Sequence, residues 1–172
     1  ALYTLALLYA DPKSDMRDIQ VAASWMAEAA RAGNAAAQFQ LAVMYCTGNG
    51  VAQDVAQGVS WYGAAAQQGH TVAQYNLAVM LGKGQGCEAD PKRAIEWLRK
   101  AAEQGMAEAQ VALGDALMSG SGIEQDRDSA VRWYQQAARQ NQQALRRLRA
   151  IDDATNPIDG SKSINLVESS CR

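Results

Sequence analysis

One histidine, three cysteines, a Gly-Lys-Gly run and a column of aspartates are the side chains in this 172-residue sequence with the chemistry for catalysis or metal binding. His70 could serve as a base or a ligand, but no cysteine or carboxylate stands at ligand spacing from it. It follows a glycine and reads as a turn residue at a corner. A thiol nucleophile would need Cys46, Cys87 or Cys171 to meet His70, and no motif around them supports that. An odd cysteine number without a repeating position gives no disulfide framework and leaves the redox compartment open. Cys46, at the end of a helical stretch, reads as a small apolar residue. Gly82-Lys83-Gly84 lacks the G-x-x-x-x-G-K-[S/T] spacing of a phosphate loop and follows a helix instead of a strand, so it reads as a plain glycine loop. Asp18, Asp54, Asp90 and Asp126 resemble a carboxylate array, but one repeat apart they would lie about 10 Å from each other, too far to share one ion. These residues point to no catalytic, cofactor or metal site and to a chain that is not an enzyme.

What positions them is a period. Trp25, Trp61, Trp97 and Trp133 are spaced 36 residues apart, and so are Leu5, Leu41, Leu77 and Leu113. Ala30, Ala66, Ala102 and Ala138 form another column, as do Gln38, Gln74 and Gln110. A fixed period in this range marks a stacked-repeat architecture. Each unit reads as two helices. The first runs from about Ala37 to Thr47, with Leu41, Ala42 and Tyr45 on one face. Gly48 and Gly50 then break it, because a tight turn needs backbone conformations that glycine tolerates. Asp54 is placed to cap the second helix, and Pro91 after Asp90 suits a first helical position. The second helix runs to about Gln68 and stops at Gly69, a left-handed cap; Gly33 and Gly105 repeat it, and Asn141 is the expected substitute in the fourth copy. Small residues at Ala22, Gly58, Ala94 and Ala130 let helices approach, with Trp expected to fill the volume between them.

The consensus resembles the Sel-one-like repeat, a short relative of the tetratricopeptide repeat. The residues that carry it are Ala37-Gln38, Leu41-Ala42, Tyr45, Gly48-Asn49-Gly50-Val51, Asp54, Trp61-Tyr62, Ala65-Ala66 and Gly69, with matching runs in the third and fourth copies. The first copy departs, with Pro12 and Ser14 at the loop glycines and Met26 after Trp25. The resemblance implies an all-α, right-handed α-α superhelix, a solenoid of about four 36-residue helix-turn-helix repeats plus a C-terminal capping helix and tail. The array covers residues 1–151, as repeats at about 1–36, 37–72, 73–108 and 109–144 with the cap helix ending at 151, and the tail covers 152–172.

First helices line the concave side of such solenoids. The resemblance implies that positions two before, two after and five or six after the repeating Leu face that groove. Two before gives Tyr3, Phe39, Tyr75 and Val111, an aromatic stripe; two after gives Leu7, Val43, Val79 and Asp115. Five after gives Ala10, Cys46, Gly82 and Met118, and six after gives Asp11, Thr47, Lys83 and Ser119. Aromatics carry binding energy at interfaces, so Phe39 and Tyr75 are the expected anchors for a peptide or partner protein, the alternative being that the stripe packs on the neighbouring unit. The family implies a non-catalytic protein–protein interaction module, an adaptor, regulatory or assembly scaffold. Its alternatives are an immunity or inhibitor protein that clamps a secreted bacterial effector or enzyme, and an accessory repeat domain of a larger enzyme or envelope protein. By resemblance the compartment is bacterial, the periplasm or envelope ahead of the cytoplasm.

A net charge of −2 gives no general attraction to nucleic acid or an anionic membrane. No apolar run approaches the roughly 20 residues of a membrane span. The sequence opens at Ala1 inside a helix, without initiator Met or signal-like segment, which points to an excised fragment or an array cut at a repeat boundary. Ala144, Leu145, Leu148 and Ile151 keep helical spacing for a cap, and Arg146, Arg147 and Arg149 give it a polar outer side. Ile164 to Val167 is expected to dock on an apolar groove of the same molecule or of a neighbour, a route to self-association through the tail.

Overall fold

A computed structural model describes residues 1–15 and 18–155. Within them the chain forms nine helices and no strand. They are α1 (Leu2–Ala10), α2 (Ile19–Arg31), α3 (Ala35–Thr47), α4 (Val55–Gln67), α5 (Thr71–Lys83), α6 (Pro91–Glu103), α7 (Ala107–Ser119), α8 (Arg127–Ala137) and α9 (Gln142–Thr155). Each packs chiefly on the helix before and after it in the chain. The result is an all-α repeat superhelix, with α9 taking the place of a fifth unit's first helix. α9 takes in residues 152–155 of the expected tail, and the rest of it, with Cys171 and Ile164 to Val167, lies outside the described residues.

Local chemistry sets the boundaries. Asp18, Asp54, Asp90 and Asp126 all cap second helices, each accepting from backbone N–H groups two or three residues on. Second helices α2, α4 and α6 end in one motif: Gly33, Gly69 and Gly105 have φ near +87°, and the next residue's N–H reaches back to Ala29, Ala65 or Ala101. First helices begin two residues earlier than the apolar pattern predicts, because Asn34 and His70 cap α3 and α5 through Oδ1 and Nδ1. In the fourth copy the expected substitution fails. Asn141 is not left-handed, and its Oδ1 instead accepts from Gln143 N–H at the start of α9. The first loop manages without glycine. Asp11 turns the chain by accepting from Lys13 N–H, and Asp18 N–H still closes on Tyr9 C=O, as Asp54 does on Tyr45.

The aspartate caps set an acid response. The Gln57 N–H, then the Gln57 side chain, hold Asp54 below its usual 3.8. The Ser129 hydroxyl, then its N–H, hold Asp126 down likewise. Carboxyls lowered by folding contribute stability that is present above their ordinary value and lost as pH falls through the folded one. The melting temperature should therefore fall as pH drops below about 4. A chain with Asp54→Asn and Asp126→Asn keeps both caps, since Asn caps as well as Asp, and should show a shallower acid slope in thermal melts. Identical slopes would show that these caps do not titrate with folding.

Units are joined by three devices. The first is a glutamine ladder: Gln38, Gln74 and Gln110 are buried, and each amide donates to the Ala30, Ala66 or Ala102 carbonyl of the previous unit. Gln68 and Gln104 then donate to Gln38 and Gln74. The second is the second loop glycine, which lies against the first helical residue of the preceding unit's second helix. A Cβ on Gly86 would stand 2.8 Å from Val55 C=O, and one on Gly122 2.7 Å from Pro91 C=O. The third is tryptophan. The indoles are half-buried instead of filling the interior, and the next residue, Met26, Tyr62, Leu98 or Tyr134, takes the buried place. Trp61 packs on both buried clusters of the chain and so spans the first units.

Candidate interaction face

The positions expected to face a groove fall into three groups. Leu7 is 43% exposed. Val43, Val79, Tyr3 and Tyr75 are half-buried, and Thr47 and Lys83 are exposed. These seven keep surface available. The Thr47 hydroxyl donates to Val43 C=O of its own helix.

Phe39 is spent on the junction. Its ring stacks on His70 at 4.6 Å between centroids and 14° between planes, and lies tilted against Tyr62 at 5.8 Å. The α5 cap residue is thus also the lid on Phe39. The packing alternative therefore describes Phe39, and the open aromatic positions are Tyr3 and Tyr75.

Val111 and Asp115 depart from the expectation for a shared reason, the cap helix. Val111 is 5% exposed, in the buried cluster that includes Ala144 of α9. Asp115 accepts from the Tyr134 hydroxyl at 2.7 Å and from Arg147 through Nε at 2.9 Å and an Nη at 3.1 Å. Burial first, then Asp115, push the Tyr134 phenol well above its ordinary value. Arg147 sits 36 residues past Val111, in the column of Tyr3, Phe39 and Tyr75. The apolar line Leu7, Val43, Val79 thus ends in an ion pair that ties α7 to α9.

The position five after the repeating Leu is half-buried at Ala10, Cys46 and Met118 and exposed at Gly82. Cys46 Sγ fills the space beside Gly58 of its own hairpin, and burial raises its thiol pKa. The same column at Gly82 borders a cavity of about 240 Å³ between α5, α6 and α7, whose mouth carries Val79 and Lys83. Sequence reasoning missed this cavity, although the column Ala10, Cys46, Gly82, Met118 was its signal. Among the described residues, no three His, Cys, Asp or Glu side chains gather where they could hold a metal ion. No described helix is long and apolar enough to cross a membrane.

The Sel1 repeat family model matches residues 1–34, 35–70, 71–106 and 107–142. Among solved structures, the chain is similar to a protective antigen present in uropathogenic Escherichia coli strains that displays an SLR fold, at 35% identity and a TM-score of 0.85, over 90% of this chain and 33% of that one. It is also similar to a Sel1 repeat protein from Oxalobacter formigenes, at 30% identity and a TM-score of 0.82, over 86% of this chain and 61% of that one. The chain therefore spans a third and about three fifths of the lengths of these two proteins. Helicobacter pylori cysteine rich protein B shares the fold at 16% identity and a TM-score of 0.60, over 80% of this chain and all of that one. No curated protein matches the chain.

Proposed function

The chain belongs to the Sel1 repeat family, whose members are helical protein-interaction repeats, and from that premise we propose that it is a non-catalytic scaffold that holds a partner protein or peptide along its first helices. The observation that carries this reading is the unfilled apolar line of Leu7, Val43 and Val79, flanked by Tyr3 and Tyr75 and rimmed by Thr47 and Lys83. Three first helices, α1, α3 and α5, present it at one repeating position, which suits an extended ligand better than a small molecule. Half-buried apolar side chains with a polar rim are the composition of an interface core.

The test is selection from a displayed library of short random peptides against the intact chain. Clones that bind should lose at least about tenfold in affinity, or about 1.4 kcal/mol, on a chain carrying Val79→Asp and Lys83→Glu. They should keep their affinity on a chain carrying Arg132→Glu, on α8, and Arg139→Glu, just past its end, both exposed. Clones indifferent to the first pair and sensitive to the second would move the interface to the other side of the solenoid.

A further inference from the structure

The four repeats are controls for one another, and their junctions fill this set of positions differently. Where the third unit meets the fourth, Gly82, Ala94, Ile95, Leu98, Ala112 and Ala116 line the open 240 Å³ cavity, with Gly82 exposed at its edge. One unit earlier the same positions hold Cys46, Gly58, Val59, Tyr62, Asn76 and Met80. There the cysteine fills the glycine's space, and Tyr62 and Met80 are buried. The first junction uses Met26, Gln40 and Met44, and the last uses Met118, Tyr134 and Leu148. The third alone combines Leu98 with alanines at 112 and 116 and glycine at 82. A Cβ built on Gly82 would meet nothing nearer than Ala94 Cβ at 3.8 Å.

An apolar cavity of roughly 150 Å³ is enough to admit benzene, so this socket takes one side chain of leucine, isoleucine or aromatic size. Its mouth carries the exposed Lys83, to which no described residue is hydrogen-bonded or ion-paired. A cation beside an apolar socket selects an apolar residue followed closely by a carboxylate.

We propose that the occupant is the chain's own segment Ile164–Glu168, with Ile164, Leu166 or Val167 entering the socket and Glu168 meeting Lys83. The segment lies outside the described residues; its sequence has the required order of apolar side chains and acid. Reach permits the placement. Arg147 is tied to Asp115, the neighbour of Ala116 in the socket wall. From there α9 runs on to Thr155, roughly 12 Å at 1.5 Å per residue. Residues 156–163 can span roughly 26–29 Å when extended. That exceeds the return along α9 and one helix-to-helix step of about 10 Å. The placement stands whether or not the groove also takes a foreign partner, and an occupied socket would make the segment a competitor of any partner that uses Val79 and Lys83.

Methyl spectra of the full chain test it. Replacing Ile164, Leu166 and Val167 together by Ser should shift the methyl signals of Val79, Ile95 and Leu98 and leave those of Ile19 and Leu41 in place. Ala116→Met restores the residue found at Met44 and Met80, fills the socket and should expel the segment, so that trypsin cuts after Lys162 about tenfold faster, the equivalent of 1.4 kcal/mol. Unmoved Val79 and Leu98 signals in the serine chain, or an unchanged cleavage rate in the methionine chain, would overturn the assignment. Signals that revert on dilution of the unmodified chain would overturn the intramolecular placement and give the segment to a second copy. Loss of library peptides on Val79→Asp alone would bear on the groove and not on this segment.

Discussion

Gly86→Ala should destabilise the chain by about 2–5 kcal/mol, far beyond what a surface loop alanine normally does. Two effects add. Gly86 has φ +71°, where a Cβ costs roughly 1–2 kcal/mol. The new Cβ would also stand 2.7–2.8 Å from the Cγ1, carbonyl carbon and oxygen of Val55, the first residue of α4. That overlap cannot be relieved by a rotamer change, because two of the three atoms are backbone, and overpacking of this kind costs about 1–3 kcal/mol. Gly69→Ala is the control. It has φ +86° but nothing within 4 Å of its added Cβ, so it carries the first effect alone. Chemical denaturation of both variants separates the two. A larger loss at Gly86 assigns the second loop glycine to the junction between units two and three. Equal losses would reduce it to a turn residue. Because solenoid stability is a sum of unit and neighbour terms, damage at this central junction should also broaden the transition or split it in two.

The parts of this fold that were legible in the sequence are those governed by chemistry within a few residues. Asp54 and Gly69 work as caps because an N-cap needs only a side-chain oxygen and a left-handed cap only a missing Cβ, so type and spacing sufficed. The helix pairs followed from the Leu41, Ala42 and Tyr45 pattern for the same reason. What was not legible depends on how one helix is set against another. Phe39 was expected at the groove because its column faces that way in related repeats, but His70, at the end of the same unit where it caps α5, lies over the ring, and nothing near Phe39 in sequence announces it. His70 itself was read as a turn residue because its cap role needs the start of α5, two residues before the apolar pattern begins. Val111 is buried and Asp115 is ion-paired because α9 leaves the repeat pattern, putting Arg147 where the other units have an aromatic or a valine. Tryptophan drew attention through its regularity, yet the buried volume belongs to its neighbour, since the position after Trp points into the hairpin. The socket at Gly82 was written in the columns throughout, but only as a sum of small side chains drawn from three helices.

Tyr134→Ala should cost about 3–5 kcal/mol, the range for deleting a fully buried aromatic ring, and should loosen α9 before the rest of the chain. Tyr134 is 1% exposed and among the largest fully buried side chains. Its ring occupies the space that Gly114 leaves, for a Cβ there would come within 3.0 Å of three ring carbons. The other units carry alanine at this column, Ala6, Ala42 and Ala78, and in unit two Ala42 stands with the buried Tyr62; in unit four the ring lies closer, in the space that Gly114 leaves. The hydroxyl holds Asp115, and Asp115 holds Arg147 of α9. Tyr134→Phe keeps the ring and loses that bond. A hydrogen bond to a charged group contributes about 1.5–3 kcal/mol, and the exposure of Asp115 and Arg147 to solvent places the loss at or below the lower end. The phenol, raised by burial above its ordinary 10.0, contributes stability that is complete below that pH and is lost as pH rises through the folded value, so Tyr134→Phe should also flatten the alkaline limb of the melting curve. Combining Gly114→Ala with Tyr134→Leu copies the third unit, Ala78 with Leu98, and should recover much of the loss seen with alanine at 134. Hydrogen exchange in α9 distinguishes the cases: faster exchange there with Tyr134→Phe, while α3 to α6 stay protected, identifies the Tyr134–Asp115–Arg147 chain as what fastens the cap. Uniformly faster exchange would mean that the ring supports the whole array and the polar chain adds little.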